Sequence, residues 1–176
     1  LTVLVDAELR FLCDATEGTP PMIARLPSPV LAAASDLAVV RAIGDTPLLR
    51  LARFARGQGL PETVELWMKA EWVNPGGSIK ARTALAIVRA ALAAGDLPPG
   101  RELLDATSGN TGIAYAMIGA ALGFPVTLCV PASASPERKR ILTAYGADLV
   151  FTDPMEGSDG AIVECRRRYA AAPERY

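Results

Sequence analysis

The chain has 176 residues, of which 51 % are hydrophobic and 21 % are charged. This composition excludes intrinsic disorder and predicts a folded domain, because a chain of this size can bury about 70 % of its unfolded surface. The 18 basic and 19 acidic residues leave a formal net charge of −1. Without a basic excess to attract polyanions, we expect neither a nucleic-acid partner nor a membrane partner.

The absence of histidine narrows the possible chemistry. It excludes Ser-His-Asp and Cys-His catalysis within these residues, and we expect no metal site. A catalytic proton carrier would have to be Lys, Asp, Glu, Tyr or a cofactor. The cysteines Cys13, Cys129 and Cys165 form no Cys-x-x-Cys pair, which favours a reducing compartment and predicts a cytoplasmic protein. Cys129 lies in "PVTLCV" and is expected to be a small buried hydrophobic residue.

In chain order, residues 1–40 show no clear hydrophobic period, and we interpret them as an N-terminal extension with a helix near 30–40. From residue 41 the pattern becomes regular. The segment "IGDTPLLRL" predicts a turn and a short strand, and "VELWMKAEW" (64–72) predicts a second strand. Residues 78–95 then predict a helix that Ser78 caps and Gly95 ends.

The rest of the chain alternates predicted strands with predicted helices. Strands are expected at 101–107, 125–130 and 147–152, and helices at 111–122, 135–147 and 158–171. This alternation predicts an α/β fold, a parallel sheet of βαβ units flanked by helices, with ligands beyond the carboxyl ends of the strands.

One uncharged stretch, residues 112–130, has the length of a membrane span. Gly123 and Pro125 divide it, so we interpret it as a buried helix followed by a buried strand.

The strand-to-helix turn "TSGNTG", residues 107–112, has the composition of a ligand-binding turn. Gly109 and Gly112 allow the backbone to approach a ligand, and free N–H groups at the helix start favour a carboxylate or phosphate. The hydroxyl and amide side chains add donors and acceptors. On residue type and spacing alone, a capped turn without a ligand remains an equal alternative.

The segment "NPGGSIKAR", residues 74–82, places Lys80 in the first turn of a predicted helix. The helix dipole disfavours a cation there, so a neutral amine able to form an imine is plausible. The alternative is a surface lysine whose charged end stays in water. A nucleotide phosphate loop is disfavoured, because the Gly-x-x-x-x-Gly-Lys-Ser/Thr spacing is absent.

Taken together, "NPGGSIKAR" and "TSGNTG" resemble motifs of the cysteine synthase family of fold-type II pyridoxal-phosphate enzymes. That group includes O-acetylserine and O-phosphoserine sulfhydrylases and cystathionine β-synthase. The segments "IGDTPLLRL" and "PASASPERKRILTAYGADLVFTD" resemble further motifs of the same family. The resemblance covers residues 41–176, in the order and spacing that the family shows.

The resemblance implies a role for each matching residue. Lys80 would form the Schiff base with pyridoxal 5′-phosphate and then act as the proton-transfer base. Asn110 would hydrogen-bond the phenolic oxygen of the cofactor. The α-carboxylate of the amino-acid substrate would be bound by Thr107, Ser108, Gly109 and Thr111. The implied reaction is a β-replacement, in which an O-activated serine, O-acetylserine or O-phosphoserine, passes through an aminoacrylate and sulfide adds to give L-cysteine.

Two departures qualify the resemblance. Ala81 stands where the family commonly has an aspartate, so a polar contact is expected to be lost. The glycine-rich loop that holds the cofactor phosphate in the family lies beyond "AAPERY", so we expect residues 41–176 to form the N-terminal part of a catalytic domain, including a small mobile subdomain. The isolated chain should then be poorly active, and relatives imply a homodimer for the full-length protein.

Three other functions stay open at this point. The first is a cystathionine β-synthase-type condensation of serine with homocysteine. The second is an inactive fragment that acts as a binding module. The third, a nucleotide-binding α/β protein, is the least favoured, because the Walker spacing is missing.

Overall fold

The computed structural model describes residues 37–107 and 109–176. The interpretation of residues 1–40 as an extension lies almost wholly outside the described residues and stays a prediction. The first described helix is α1 (Ala38–Arg41), at the end of the helix expected near 30–40. Its residue Val40 is buried and belongs to the hydrophobic core.

The segment before Lys80 differs from the parallel arrangement predicted for the chain. Strands β1 (Leu48–Arg50) and β2 (Trp67–Lys69) are separated by helix α2 (Ala52–Gly57) and pair antiparallel in a sheet of their own.

The strand predicted over 64–72 is wrong in its extent. The observed strand covers only Trp67–Lys69, because the chain then forms a 3₁₀ helix at Glu71–Val73. Asn74 closes this turn by donating from Nδ2 to the carbonyl oxygen of Glu71 at 2.7 Å.

Beyond this pair, strands and helices alternate as the sequence predicts. The elements are α3 (Lys80–Ala94), β3 (Leu103–Ala106), α4 (Asn110–Leu122), β4 (Val126–Pro131), α5 (Pro136–Ala144), β5 (Asp148–Thr152) and α6 (Gly157–Ala171). The three strands form a parallel sheet in the order β3-β4-β5, so the α/β fold class is confirmed.

The central strand β4 is buried along its whole length and divides the core into two layers. On one face Leu128 packs against α4, which is buried almost all round and lies between α3 and α5. Successive residues of a strand point to opposite faces, so Cys129 is directed toward α6, which packs across all three strands.

Cys129 is fully buried, and this burial raises the pKa of its thiol to about 11. The expectation that Cys129 is a small buried hydrophobic residue is confirmed.

The glycine ends of two helices agree with prediction. Gly95 and Gly123 follow α3 and α4 in the left-handed conformation, with φ of 77° and 78°. Within residues 37–107 and 109–176, no helix is both long enough and apolar enough to cross a bilayer, so residues 112–130 divide into α4 and β4 as expected.

Candidate active site

Lys80 is the first residue of α3, two residues after the helix start that the sequence predicts. Ser78 does not act as the N-cap, but its Oγ accepts a hydrogen bond from the Lys80 backbone N–H at 3.3 Å. The preceding residue Gly77 has a φ of +69°, a conformation that L side chains rarely adopt, which explains why a glycine turns the chain into the helix.

The amine of Lys80 differs from those of the other two lysines of the chain. Lys69 Nζ donates to the carbonyl oxygen of Thr46, and Lys139 Nζ donates to that of Ala132 at 2.6 Å. Lys80 is exposed, and its amine has no hydrogen bond or ion pair with any part of the chain that the structure describes. An exposed amine without a polar partner is available to a carbonyl compound.

The turn "TSGNTG" joins β3 to α4. Thr107 donates its backbone N–H to the carbonyl oxygen of Cys129 at 3.2 Å, which ties the turn to the central strand. Gly109 is the N-cap of α4 and has no side chain with which to cap it. Asn110 and Thr111 form the first turn of α4, and Ser108 lies outside the described residues. The backbone N–H groups at this end of the helix are therefore directed toward a place suited to an anion.

The two glycines of this turn have different surroundings. A Cβ placed on Gly109 would meet no heavy atom within 4 Å, whereas one placed on Gly112 would lie 2.8 Å from Thr107 Cγ2 and 3.2 Å from Leu128 Cδ1. Gly112 thus allows α4 to pack closely on the sheet. Gly109 leaves open space in front of the helix N-terminus, where a ligand group could fit.

The structure packs the loop before Lys80 on the helix that follows the turn "TSGNTG". A Cβ placed on Gly76 would lie 3.9 Å from the Cα of Ala114 and 3.8 Å from Met117 Cε, so the loop before Lys80 packs on α4 one turn after Asn110. Ala81, at the position where relatives were expected to carry aspartate, is fully buried against the same loop, 3.6 Å from that Cβ position. A carboxylate there would be removed from water, and the alanine avoids that cost.

Sequence reasoning missed a charged network behind Lys80. The carboxylate of Glu71 accepts hydrogen bonds from Arg82 Nε at 2.8 Å, Arg82 Nη2 at 3.0 Å and Thr46 Oγ1 at 2.7 Å. Asn74 Nδ2 donates to the same carboxylate at 2.9 Å, and the Gly44 backbone N–H donates to Asn74 Oδ1 at 2.9 Å. The only signal in the sequence was the pair of charged residues on either side of "NPGG".

This network holds Glu71 in its ionised form. The hydrogen bonds from Arg82 and then Thr46 lower the pKa of the Glu71 carboxyl to about 2. Glu71 also raises the pKa of the Arg82 guanidinium. The ion pair therefore persists at any pH near neutrality.

The described residues fit the cofactor that the sequence implies. A partner-free amine on Lys80 suits a carbonyl group, and the open N-terminus of α4 suits an anionic one. Fold and site together define an α/β protein with an exposed lysine at the start of one helix and an uncapped start, suited to an anion, on the next helix. The chain belongs to the family of pyridoxal-phosphate dependent enzymes, whose family model matches residues 39–176.

Known relatives are consistent with this assignment. The chain is 50 % identical over 138 residues to the cysteine synthase of Aquifex aeolicus (strain VF5), covering 78 % of this chain and 42 % of that protein. It is 44 % identical over 119 residues to cysteine synthase B of Escherichia coli (strain K12), covering 68 % and 38 % respectively. The chain therefore spans about two fifths of the length of these relatives.

Among solved structures, the crystal structure of cysteine synthase (OASS) from Entamoeba histolytica matches with a TM-score of 0.76 and 32 % identity. The match covers 93 % of this chain and 45 % of that one. The predicted family resemblance and the fold-type II architecture are confirmed.

Proposed function

We propose that this chain supplies the lysine-bearing part of a pyridoxal-phosphate dependent enzyme that forms L-cysteine from an O-activated serine and sulfide. The observation that carries the proposal is the Lys80 amine, which has no polar partner among residues 37–107 and 109–176 and follows a loop that packs on α4, the helix with an uncapped start. The similarity to proteins named cysteine synthase supports cysteine as the product and O-acetylserine as the activated serine. Neither observation favours cystathionine formation.

In this proposal Lys80 and the residues of the turn "TSGNTG" each have a separate role. Lys80 holds the cofactor through its amine and moves a proton at the α-carbon of the substrate. Thr107, Ser108, Gly109 and Thr111 bind the α-carboxylate, which the positive end of the α4 dipole stabilises. Asn110 contacts the phenolic oxygen of the cofactor.

Pyridoxal phosphate supplies the electron sink for bond cleavage at the substrate carbon, and the protein supplies orientation. Because the chain spans about two fifths of the length of its cysteine synthase relatives, we propose that residues outside it hold the cofactor phosphate and complete the pocket. A homodimer and a cytoplasmic location are part of the same proposal.

The decisive experiment is borohydride reduction of the full-length protein after incubation with pyridoxal phosphate. We expect the main phosphopyridoxyl adduct on Lys80, located by mass spectrometry of the digested protein, and the loss of this main adduct after the substitution Lys80→Arg. Lys139→Arg is the matched control and should leave the adduct unchanged, because Lys139 is engaged with Ala132 and lies over the Phe151 ring.

Activity is measured on the same preparations as cysteine formed from sulfide and O-acetylserine, O-phosphoserine or serine. We expect formation with an O-activated serine and background levels in Lys80→Arg. A main adduct on a lysine other than Lys80, or cofactor binding without any product, would replace this proposal with the binding-module alternative.

A further inference from the structure

The ion pair between Glu71 and Arg82 lies directly behind the proposed reactive amine. Arg82 follows Lys80 by two residues on α3, so the two side chains leave the helix about 200° apart. The side chain of Lys80 is open to solvent, while the half-buried Arg82 side chain bonds Glu71, of whose side chain only 17 % is exposed. The two cations of this turn therefore occupy opposite faces of one helix.

The partners of this ion pair come from three segments that are distant in sequence. Thr46 belongs to the turn before β1, Glu71 to the 3₁₀ helix and Arg82 to α3. Arg82 Nη2 also donates to Thr46 Oγ1 at 3.1 Å, so each of the three side chains contacts the other two. Thr46 and Asn74 are almost fully buried, which makes these bonds costly to lose.

The hydrogen bonds of Glu71 fix the backbone both before and after Lys80. Asn74 connects Glu71 to the Gly44 backbone and begins the loop that leads to the lysine. Arg82 fixes the first turn of α3 on the other side. By contrast, the ion pair of Glu164 with Arg167 lies three residues apart within α6 and joins no separate segments.

We infer that Glu71 and Arg82 are positioning residues, which hold the loop 74–77 and the first turn of α3 in the one orientation that directs the Lys80 amine into the site. The inference rests on the proposed function, in which Lys80 holds the cofactor. Neither residue touches the reacting atoms in this assignment. Their effect passes through the backbone on either side of Lys80.

The test measures how a label is distributed between Lys80 and Lys139 in the full-length protein. After incubation with pyridoxal phosphate and reduction with borohydride, the ratio of label on Lys80 to label on Lys139 is determined by mass spectrometry. We expect Glu71→Gln and Arg82→Lys each to lower this ratio by roughly tenfold, because a displacement of about 1 Å in a reacting group can cost about a hundredfold in rate.

Conservative pairs separate positioning from general destabilisation. Thr46→Ser keeps the hydroxyl that bonds Glu71 and should keep the ratio, whereas Thr46→Val removes it and should lower the ratio. Glu164→Gln removes an ion pair of similar geometry on α6 and should leave the ratio unchanged. A ratio that stays at the wild-type value in folded Glu71→Gln and Arg82→Lys would overturn the inference.

A second measurement keeps the two proposals distinguishable. If wild-type Lys80 takes no phosphopyridoxyl label, the proposed function fails. The positioning inference is then tested without cofactor, by the ratio of acetylation of Lys80 to that of Lys139 with acetic anhydride. A ratio that changes in Glu71→Gln and Arg82→Lys, and recovers in Thr46→Ser relative to Thr46→Val, supports positioning, and an unchanged ratio overturns it.

Discussion

At the scale of single residues, the turn "TSGNTG" shows that two glycines in one motif can be needed for different reasons. Gly112 has no room for a side chain, because Thr107 and Leu128 fill the space where a Cβ would lie. Gly109 has room, and its φ of −129° is open to any residue. Gly112 therefore serves packing, and Gly109 leaves space for a ligand.

This difference predicts that alanine substitutions at the two glycines change stability by different amounts. Gly112→Ala should lower the free energy of unfolding by about 1–3 kcal/mol, because it overpacks the contact between α4 and the sheet. Gly109→Ala should lower it by less, about 0.5–1 kcal/mol, because alanine is a poorer N-cap residue than glycine. Urea denaturation followed by circular dichroism measures both, and equal destabilisation by the two substitutions would contradict the distinction.

At the scale of elements, the structure begins its helices in two ways. Helix α5 is closed by Ser135, whose Oγ accepts the Arg138 backbone N–H at 3.4 Å, and Pro136 occupies the first helical position as predicted. Helix α4 begins at Gly109 without a side-chain cap. Both helices pack on the sheet, and the uncapped start of α4 faces the proposed site.

The cap on α5 should contribute to stability alone. Ser135→Ala is expected to lower the free energy of unfolding by about 0.5–2 kcal/mol, the usual contribution of an N-cap hydroxyl. Ser158→Ala is the matched control, since Ser158 is exposed near the start of α6, where no side chain caps the helix. Thermal unfolding of the three proteins measures the effect, and an undiminished melting temperature in Ser135→Ala would show that the cap contributes nothing.

At the scale of the whole molecule, two carboxylates in separate regions are held ionised by arginines. Hydrogen bonds from Arg82 lower the pKa of Glu71 to about 2, and those from Arg167 do the same for Glu164. Both groups titrate near 4.5 in the absence of such partners. The folded state therefore binds these protons less readily than the unfolded state does.

The sign of the pH dependence follows from this lowering. The stabilisation is complete above about pH 4.5 and is lost as the pH falls toward about 2, because the unfolded state takes up the protons first. We expect the wild-type melting temperature to fall more steeply between these limits than that of Glu71→Gln. Glu164→Gln should show the same reduced steepness, and equal slopes in all three proteins would contradict this origin of the acid sensitivity.

Much of the fold could be predicted because its signals are local. The alternation that predicted the parallel sheet, the glycines that end α3 and α4, and the start of α5 all lie within a few residues of the features they specify. The secondary structure was predicted wrongly where contacts between separate segments determine the backbone conformation. The strand expected over 64–72 gives way to a 3₁₀ helix at Glu71, whose side chain bonds Arg82 eleven residues away.

The sequence by itself determined the order of helices and strands and the place of Lys80 at a helix start, since hydrophobic period and turn residues act over short distances. Tertiary structure alone decided that Lys80 has no polar partner within the described residues, that Ala81 is fully buried, and that Thr46 contacts Arg82 across 36 residues. Those properties depend on which segments meet in space. Folding brings these segments together by burying apolar surface, which acts without regard to sequence distance.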